Sequence, residues 1–535
     1  MKIRYFTLLL SFGLLAGAPA ARAQKKNQAP PPPNAPVQNA RAELPLTTSN
    51  SEVHVQALAA DSTVVLLIGH ERPLSNKTAF AFQQYDQSLQ LRNETPLEVP
   101  DEFSFTRMCA EGNTVYALFS SNSTAGRLYV AAYNGRLGQV RTQQYETRLS
   151  REIVELKAMD GRLFATVLLN DRLHVTALLL DVATGHMQYL SSIYEPLPTQ
   201  LTFVADAATR RAEYVLSQTN GRKSRLLLKQ LTDRGQLVSS EFVQAESDRS
   251  LITAQLTPPQ DTTARLLMGT YSLRDANFAQ GLFATDLRAT SGTGAKSPLR
   301  FYDFLRLKHF FDYLKPSRQA RLRLRTERRI ARSVRPLRWH YRLLLHELLP
   351  QPDGGYVLVA EVYYPHYRYS NYGSYTGPFN SLGNQYGGFG YPSTYNSRIF
   401  DGYQTTHALV CGFDRSGTLL WDNTFVVQNL RRSDLEEAVR LQSLPDGRLV
   451  LAYLDEHKLR YKLINRAESS PNDHEVPIQT ALSTAPASGA ERPADTSQAD
   501  LLPWFGSRFV ATGYQHVRVE NGPDREVFFL NSVVF

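Results

Sequence analysis

Eight arginines fall within residues 318–335: Arg318, Arg321, Arg323, Arg325, Arg328, Arg329, Arg332 and Arg335. A guanidinium is always charged and its planar fork matches carboxylate, phosphate or sulfate, so this run offers anion recognition rather than bond making. Shortly after it comes a second unusual series: Tyr363, Tyr364, Tyr367, Tyr369, Tyr372, Tyr375, Tyr386, Tyr391 and Tyr395 among Gly373, Gly377, Gly383, Gly387, Gly388 and Gly390. Rigid aromatic faces on flexible spacers suit stacking on a sugar or contact with a protein, and such a composition predicts partial order at most. The candidate anion-binding residues are therefore Arg318, Arg321, Arg325, Arg328, Arg329, Arg332 and Arg335, and the candidate aromatic contacts are Trp339, Tyr367, Tyr369, Tyr372 and Tyr375.

Catalytic chemistry is not legible in the same way. The chain contains no G-x-S-x-G, H-E-x-x-H, C-x-x-C or phosphate loop, and Gly387-Gly388-Phe389-Gly390 has neither the Walker nor the dinucleotide spacing. His340, His346 and His366 cluster at separations that fit no metal motif, which predicts core or surface histidines. Asp434, Glu436 and Glu437 could serve a carboxylate site in a loop. No catalytic, cofactor-binding or metal-ligating residue is assigned and no cofactor is expected. The rival expectation is a propeller enzyme acting on glycans, which would gather carboxylates from several repeats at one axial mouth.

The charge is concentrated. The formal charge is +9, yet residues 300–342 hold fourteen Lys or Arg against Asp303, Asp312 and Glu327. The rest of the chain beyond its first 23 residues is mildly acidic, which is a different statement from a uniformly basic protein. At the start, Lys2 and Arg4 precede the apolar run Phe6–Leu15 and the small-residue site Ala21-Arg22-Ala23. That pattern predicts an export signal over 1–23 and a periplasmic or extracellular protein, at most peripheral to the envelope. Cys109 and Cys411, placed in different repeats, are expected as free thiols. The expected partners of the basic segment are an anionic membrane surface, an acidic glycan or an acidic envelope protein; export argues against nucleic acid.

The elements that position these residues follow from a repeat. Residues 24–43, with Pro30–Pro33 and Pro36, read as a linker, and 44–535 as one domain. Within it a strongly apolar strand recurs about every fifty residues: Val64–Gly69, Val115–Phe119, Leu163–Leu169, Tyr214–Ser217, Leu266–Tyr271, Tyr356–Val362, Leu449–Leu454 and Phe509–Tyr514. Tight turns such as Asp160-Gly161-Arg162 and Asp446-Gly447-Arg448 precede several of these strands. Four strands per unit predict an all-β propeller of eight blades, or seven if one unit is misread. The last unit ends after its third strand, so an N-terminal strand near Glu43–Thr48 is expected to complete it. Alternating Val527, Phe529, Val533 and Phe535 leave an outer-membrane barrel as another alternative, with Asn531 as a misfit.

The stretch Gly412-Phe413-Asp414-Arg415-Ser416-Gly417-Thr418-Leu419-Leu420-Trp421 resembles the quinoprotein-type propeller repeat, and Asp181–Gly185 matches its first half. The resemblance implies an eight-bladed fold. It does not carry over quinone binding, because Trp339, Trp421 and Trp504 are the chain's only tryptophans.

Three departures from the repeat are expected. The first is a basic helical insertion over 299–338, in which 299–314 shows near-helical apolar spacing and 317–335 is a helix capped by Ser317. The second is the Tyr/Gly-rich loop over 365–405 and the third a low-complexity loop over 466–499. Antiparallel strands at 339–345 and 356–362 separate the first two insertions, which should therefore emerge on one face.

Overall fold

The computed structural model describes residues 35–535 apart from 72–77, 148–149, 197–200, 207–208, 220–222, 259–264, 274, 289–297, 333–336, 371–396, 429, 473, 481–490 and 520–522. Thirty-four strands form eight separate antiparallel sheets, and one α-helix is present among the described residues. Blades 1 to 7 span 51–97, 103–146, 150–196, 201–243, 250–303, 342–426 and 440–477. Blade 8 joins 491–534 to the N-terminal strand. The fold is an all-β propeller with eight blades; eight unconnected sheets exclude the seven-blade count and the single closed sheet of a membrane barrel.

Near-continuous apolarity in the second strands has a packing cause. In Thr63–Glu71, Val65 and Leu67 face blade 2 against Val115, Ala117 and Phe119. Val64, Leu66 and Ile68 face blade 8 against Val510, Tyr514 and Leu530. A strand sandwiched between two blades has no wet side, so both of its faces must be apolar. Around most of the ring the first strand of each blade neighbours the first strand of the next, and these inner strands surround the axis.

Val37–Leu44 closes the ring by pairing antiparallel with Arg525–Val534, with Ala42 opposite Leu530. It begins earlier than expected, so residues 37–43 belong to a blade and not to the linker. Its buried positions are Gln38, Ala40 and Leu44, of which only Leu44 is a large apolar residue, too little to announce a strand in sequence. Asn531, the residue a barrel could not explain, is 1% exposed and bonds Gln38 Oε1 at 3.0 Å and Arg41 Nη1 at 3.0 Å. It is part of the latch.

Two other expectations need correction. Residues 299–314 are not helical: Arg300–Asp303 is the outer strand of blade 5, followed by turns. Phe304, Phe310 and Phe311 are fully buried between blades 5 and 6, and Asp422 accepts the Lys308 and His309 amides at 2.9 and 2.6 Å. Those apolar residues imitate a helical face because they are buried on several sides at once. The stretch 466–499 contains the strand His474–Pro477 and most of Glu491–Pro503, whose mostly polar side chains hid them.

Candidate functional site

Each blade starts at the axis and walks outward, so alternate connections fall on alternate faces. First-to-second and third-to-fourth turns share one face, here the turn face. Blade-to-blade connectors and second-to-third loops share the other, the insertion face. The excursion between Arg300–Asp303 and Arg342–Leu345 is a connector, and the segment between Tyr356–Ser370 and Ser397–Phe413 is a second-to-third loop. The excursion and the described ends of that hairpin, Ser370 and Ser397, therefore belong to the insertion face.

The excursion is fastened at its root. Tyr313 stacks on His407 at 4.1 Å and its hydroxyl meets that of Tyr341 at 2.7 Å. Burial drives the His407 imidazole down to about 3, so it serves as a neutral ring. From this knot the helix α1 runs Pro316–Ala331, with proline in the first turn where its missing N–H costs nothing. The Arg318 and Gln319 amides both bond Lys315 O, so Lys315 precedes the helix and Ser317 lies inside it, not at its cap.

One side of α1 faces inward. Leu322 packs on the core, Thr326 is buried, and Arg323 donates to the carbonyls of Leu305, Leu307 and Lys308 at 3.3, 3.1 and 2.7 Å. The other side carries Arg318, Arg321, Arg325 and Arg328, continued by Arg332 just past the helix; all five are exposed. Their spacing of three and four residues makes one outward stripe. None of the five forms an ion pair among the described residues. Arg329 is half-buried and engaged elsewhere, and Arg335 lies outside the described residues.

The hairpin of blade 6 extends beyond its neighbours. Tyr363, Tyr403, Phe400 and Tyr367 form an edge-to-face ladder with centroid separations of 5.7, 5.1 and 5.8 Å. Tyr367 and Phe400 are each 46% exposed. Tyr369 lies in the strand and its side chain is not among those described, while Tyr372 and Tyr375 lie outside the described residues altogether. Trp339 corrects an expectation: it is 8% exposed and packs on Phe311, because the connector must cover the gap between blades 5 and 6.

A second region lies at the axis. A cavity of about 710 Å³ is lined by inner-strand residues of blades 2 to 6, by Tyr363 and Tyr403, and by the loop 434–437. Six carboxylates line it: Glu152, Glu155, Glu347, Asp434, Glu436 and Glu437. Lys157 holds Glu347 at 2.6 Å, Arg107 stands 3.8 Å from Glu436, and Arg440 stands 3.4 Å from Glu437. Burial pushes the Glu155 carboxyl up to about 7.

Glu361 arranges this loop. It is 1% exposed and its Oε1 accepts the Ala438 and Val439 amides, both at 2.8 Å, and meets His346 Nε2 at 2.8 Å. Burial alone would lower the His346 imidazole, but Glu437 and Glu361 outweigh it and hold it above its ordinary value. The three sequence-adjacent histidines are dispersed: His346 is in this network, His366 faces Asp401 at 3.4 Å, and His340 packs on Phe278. Among the described residues no group of three or more His, Cys, Asp or Glu is placed to hold a metal. The linear sequence offered Asp434, Glu436 and Glu437; it carried no signal for Glu155, Glu347 or Glu361, which ring geometry alone brings together.

No family model and no curated protein matches the chain, so the quinoprotein resemblance stands at the level of fold. Among solved structures it is similar to prolyl oligopeptidase B from Galerina marginata, at 7% identity over 89% of this chain and 56% of that one, with a TM-score of 0.37. The β-propeller domain of the Trilobed protease from Pyrococcus furiosus aligns at 8% identity over 82% and 100%, with a TM-score of 0.34. The Dos1 propeller aligns at 9% identity over 93% and 95%, with a TM-score of 0.36. The chain spans about half the length of the prolyl peptidases it matches. The propeller architecture rests on the chain's own eight sheets.

Proposed function

We propose that this chain is an exported, non-catalytic binding or scaffold protein of the cell envelope, and that its insertion face docks on an anionic membrane surface. The observation that carries the reading is the outward stripe of Arg318, Arg321, Arg325, Arg328 and Arg332, exposed and without carboxylate partners among the described residues. Like charges three or four residues apart repel, so such a helix is stabilised when an anionic surface screens it. Exposed Tyr367 and Phe400 on the same face suit the boundary between headgroups and hydrocarbon. An export signal over residues 1–23 would deliver the protein to such a surface.

The test is co-sedimentation with vesicles of phosphatidylglycerol and, separately, of phosphatidylcholine. Wild type binds the anionic vesicles at low salt and is released as ionic strength rises; replacing the five arginines with glutamine abolishes the difference between the lipids. Equal binding by that variant would overturn the reading. Capture by a sulfated polysaccharide but not by vesicles would move the docking to an acidic glycan. Excising residues 300–338 is not a fair test, because it would remove Phe304, Phe310 and Phe311 from the core.

A second reading, a propeller enzyme acting on glycans, is favoured by the axial carboxylates and by a Glu155 that titrates near neutrality, as a general acid should. It stands second because Glu347, Glu436 and Glu437 are engaged by Lys157, Arg107 and Arg440.

A further inference from the structure

We propose that the outer strand of blade 4, Leu237–Val243, is a self-association edge on which a second copy of this chain pairs antiparallel across a two-fold axis. The edge lies on the rim of the ring, in a blade that carries none of the helical arginines, so the proposal is independent of membrane docking.

A sheet edge presents unpaired N–H and C=O groups, and proteins blunt it with charge, proline, bulges, short strands or cover. Seven of the eight outer strands here are blunted in one of these ways. Blade 1 has Arg92 and Pro96, blade 2 has Arg141 and blade 8 has Arg41. In blade 3 residues 191–193 bulge out of the ladder and Pro196 ends the strand. The outer strands of blades 5 and 7 are only four residues long. Blade 6 is covered, since Asp422 accepts the Lys308 and His309 amides and the Tyr302 hydroxyl accepts the Leu419 amide. Blade 4 departs from the pattern. Its seven-residue strand contains no Lys, Arg or Pro, and its bulge at Val238 leaves residues 239–243 in regular register. Leu237, Val238 and Phe242 are 48, 48 and 49% exposed. Among the described residues no strand pairs with its outer side.

The occupant follows from the symmetry of the strand. Ser240 is its midpoint, and a two-fold axis there sets Val238 toward Phe242 of the copy and Leu237 toward Val243, each contact being made twice. The Arg225 guanidinium, 4.1 Å from the Phe242 ring, holds that ring in place. Glu241, the one charge in the strand, falls opposite Ser239 and is met by Arg265 of its own chain at 3.8 Å, so no like charges oppose. The flanks are complementary as well. Arg234 precedes the strand and Glu246 follows it, both exposed and neither in an ion pair among the described residues. An antiparallel copy brings each of them to the end that carries the other. The chain's own N-terminal segment is a poor occupant, because Pro30–Pro33 lack the N–H groups a ladder needs.

Sedimentation velocity of the full chain over a range of concentrations tests the edge, with two double variants at exposed positions. Wild type should form a reversible dimer. Val238→Lys/Phe242→Lys opposes like charges across the axis and should weaken the dimer by about tenfold or more. Val238→Lys/Phe242→Glu opposes lysine to glutamate twice and should restore it to within about threefold of wild type. In wild type, hydrogen exchange over 237–243 should slow as concentration rises, a readout that needs no variant to fold. A wild type that stays monomeric would overturn the proposal, as would a dimer indifferent to the two lysines or equally weakened in both variants. Slow exchange over 237–243 at every concentration would place an occupant from within the chain on the edge and would also overturn it.

Discussion

On the turn face Arg162 reaches Asp181 at 3.2 Å and Asp233 at 3.0 Å, so one guanidinium ties blade 3 to blade 4. Glu111 of blade 2 accepts the Asp160 and Gly161 amides of the next blade at 2.5 and 2.9 Å, and Arg141 donates to Ala183 O at 2.9 Å. On the insertion face Arg318, Arg321, Arg325, Arg328 and Arg332 meet no carboxylate among the described residues. The residue type is the same and its use is opposite. Charges on tight, repeated turns fall within reach of a neighbouring blade and become part of the ring. Charges lifted clear on a helix have only solvent or an external partner to meet.

The contrast can be broken or sharpened by substitution. The largest effect belongs to Glu361, the buried carboxylate that fastens the axial loop to blade 6. Glu361→Ala strands two amides and His346, and should cost about 3–5 kcal/mol in chemical denaturation. A cost below about 1 kcal/mol would mean that the loop is held by something else.

Glu155→Gln should do the reverse. In the folded protein this carboxyl holds its proton to about pH 7, whereas the unfolded chain releases it near its ordinary 4.5. Folding stability is therefore lost as pH climbs from about 4.5 to 7. Glutamine removes that loss, so the variant should match wild type near pH 4 and exceed it by about 1–3 kcal/mol near pH 8. Melting curves across that range decide the matter, and a pH-independent difference would contradict it.

Arg162→Ala should cost about 1–2 kcal/mol, since it leaves the largely covered Asp181 and Asp233 without their shared cation. Each of the five outward arginines, replaced singly by glutamine, should stay within about 0.5 kcal/mol of wild type. Should the stripe prove as costly to neutralise as Arg162, its arginines would be structural and the contrast between the faces would fail.

Much of the scaffold is legible in the amino-acid sequence. The eight second strands carry their signal locally, because burial on both sides demands unbroken apolar runs such as Val64–Ile68. The turns are equally local: Asp414 accepts the Ser416 and Thr418 amides at 2.8 Å each, and Gly417 adopts a φ of +78°. Gly412 is fixed by a neighbour, since a Cβ there would stand 2.2 Å from the Trp421 ring. Other features carry weak signals because their partners are distant in sequence. Val37–Leu44 reads as linker until Arg525–Val534 supplies its other edge. Phe304–Phe311 imitates a helix because blades 5 and 6 bury it from several directions.

The site divides along the same line. Arg318, Arg321, Arg325, Arg328 and Arg332 are visible as a helical stripe, since spacing alone puts them together. Trp339 is misread as a contact because aromatic character does not say which side of a connector is covered. Glu155, Glu347 and Glu361 carry no linear signature; closure of the ring brings Glu155 and Glu347 into one cavity wall and sets Glu361 against the loop 434–439.

Hydrogen exchange of the full chain, with and without phosphatidylglycerol vesicles, tests the central claim most directly. Docking through the insertion face predicts slowed exchange over 316–332, 363–370 and 397–403, with the turns at 160–162, 182–186 and 446–448 unchanged. Protection centred on those turns, or exchange unaltered by the vesicles, would contradict it.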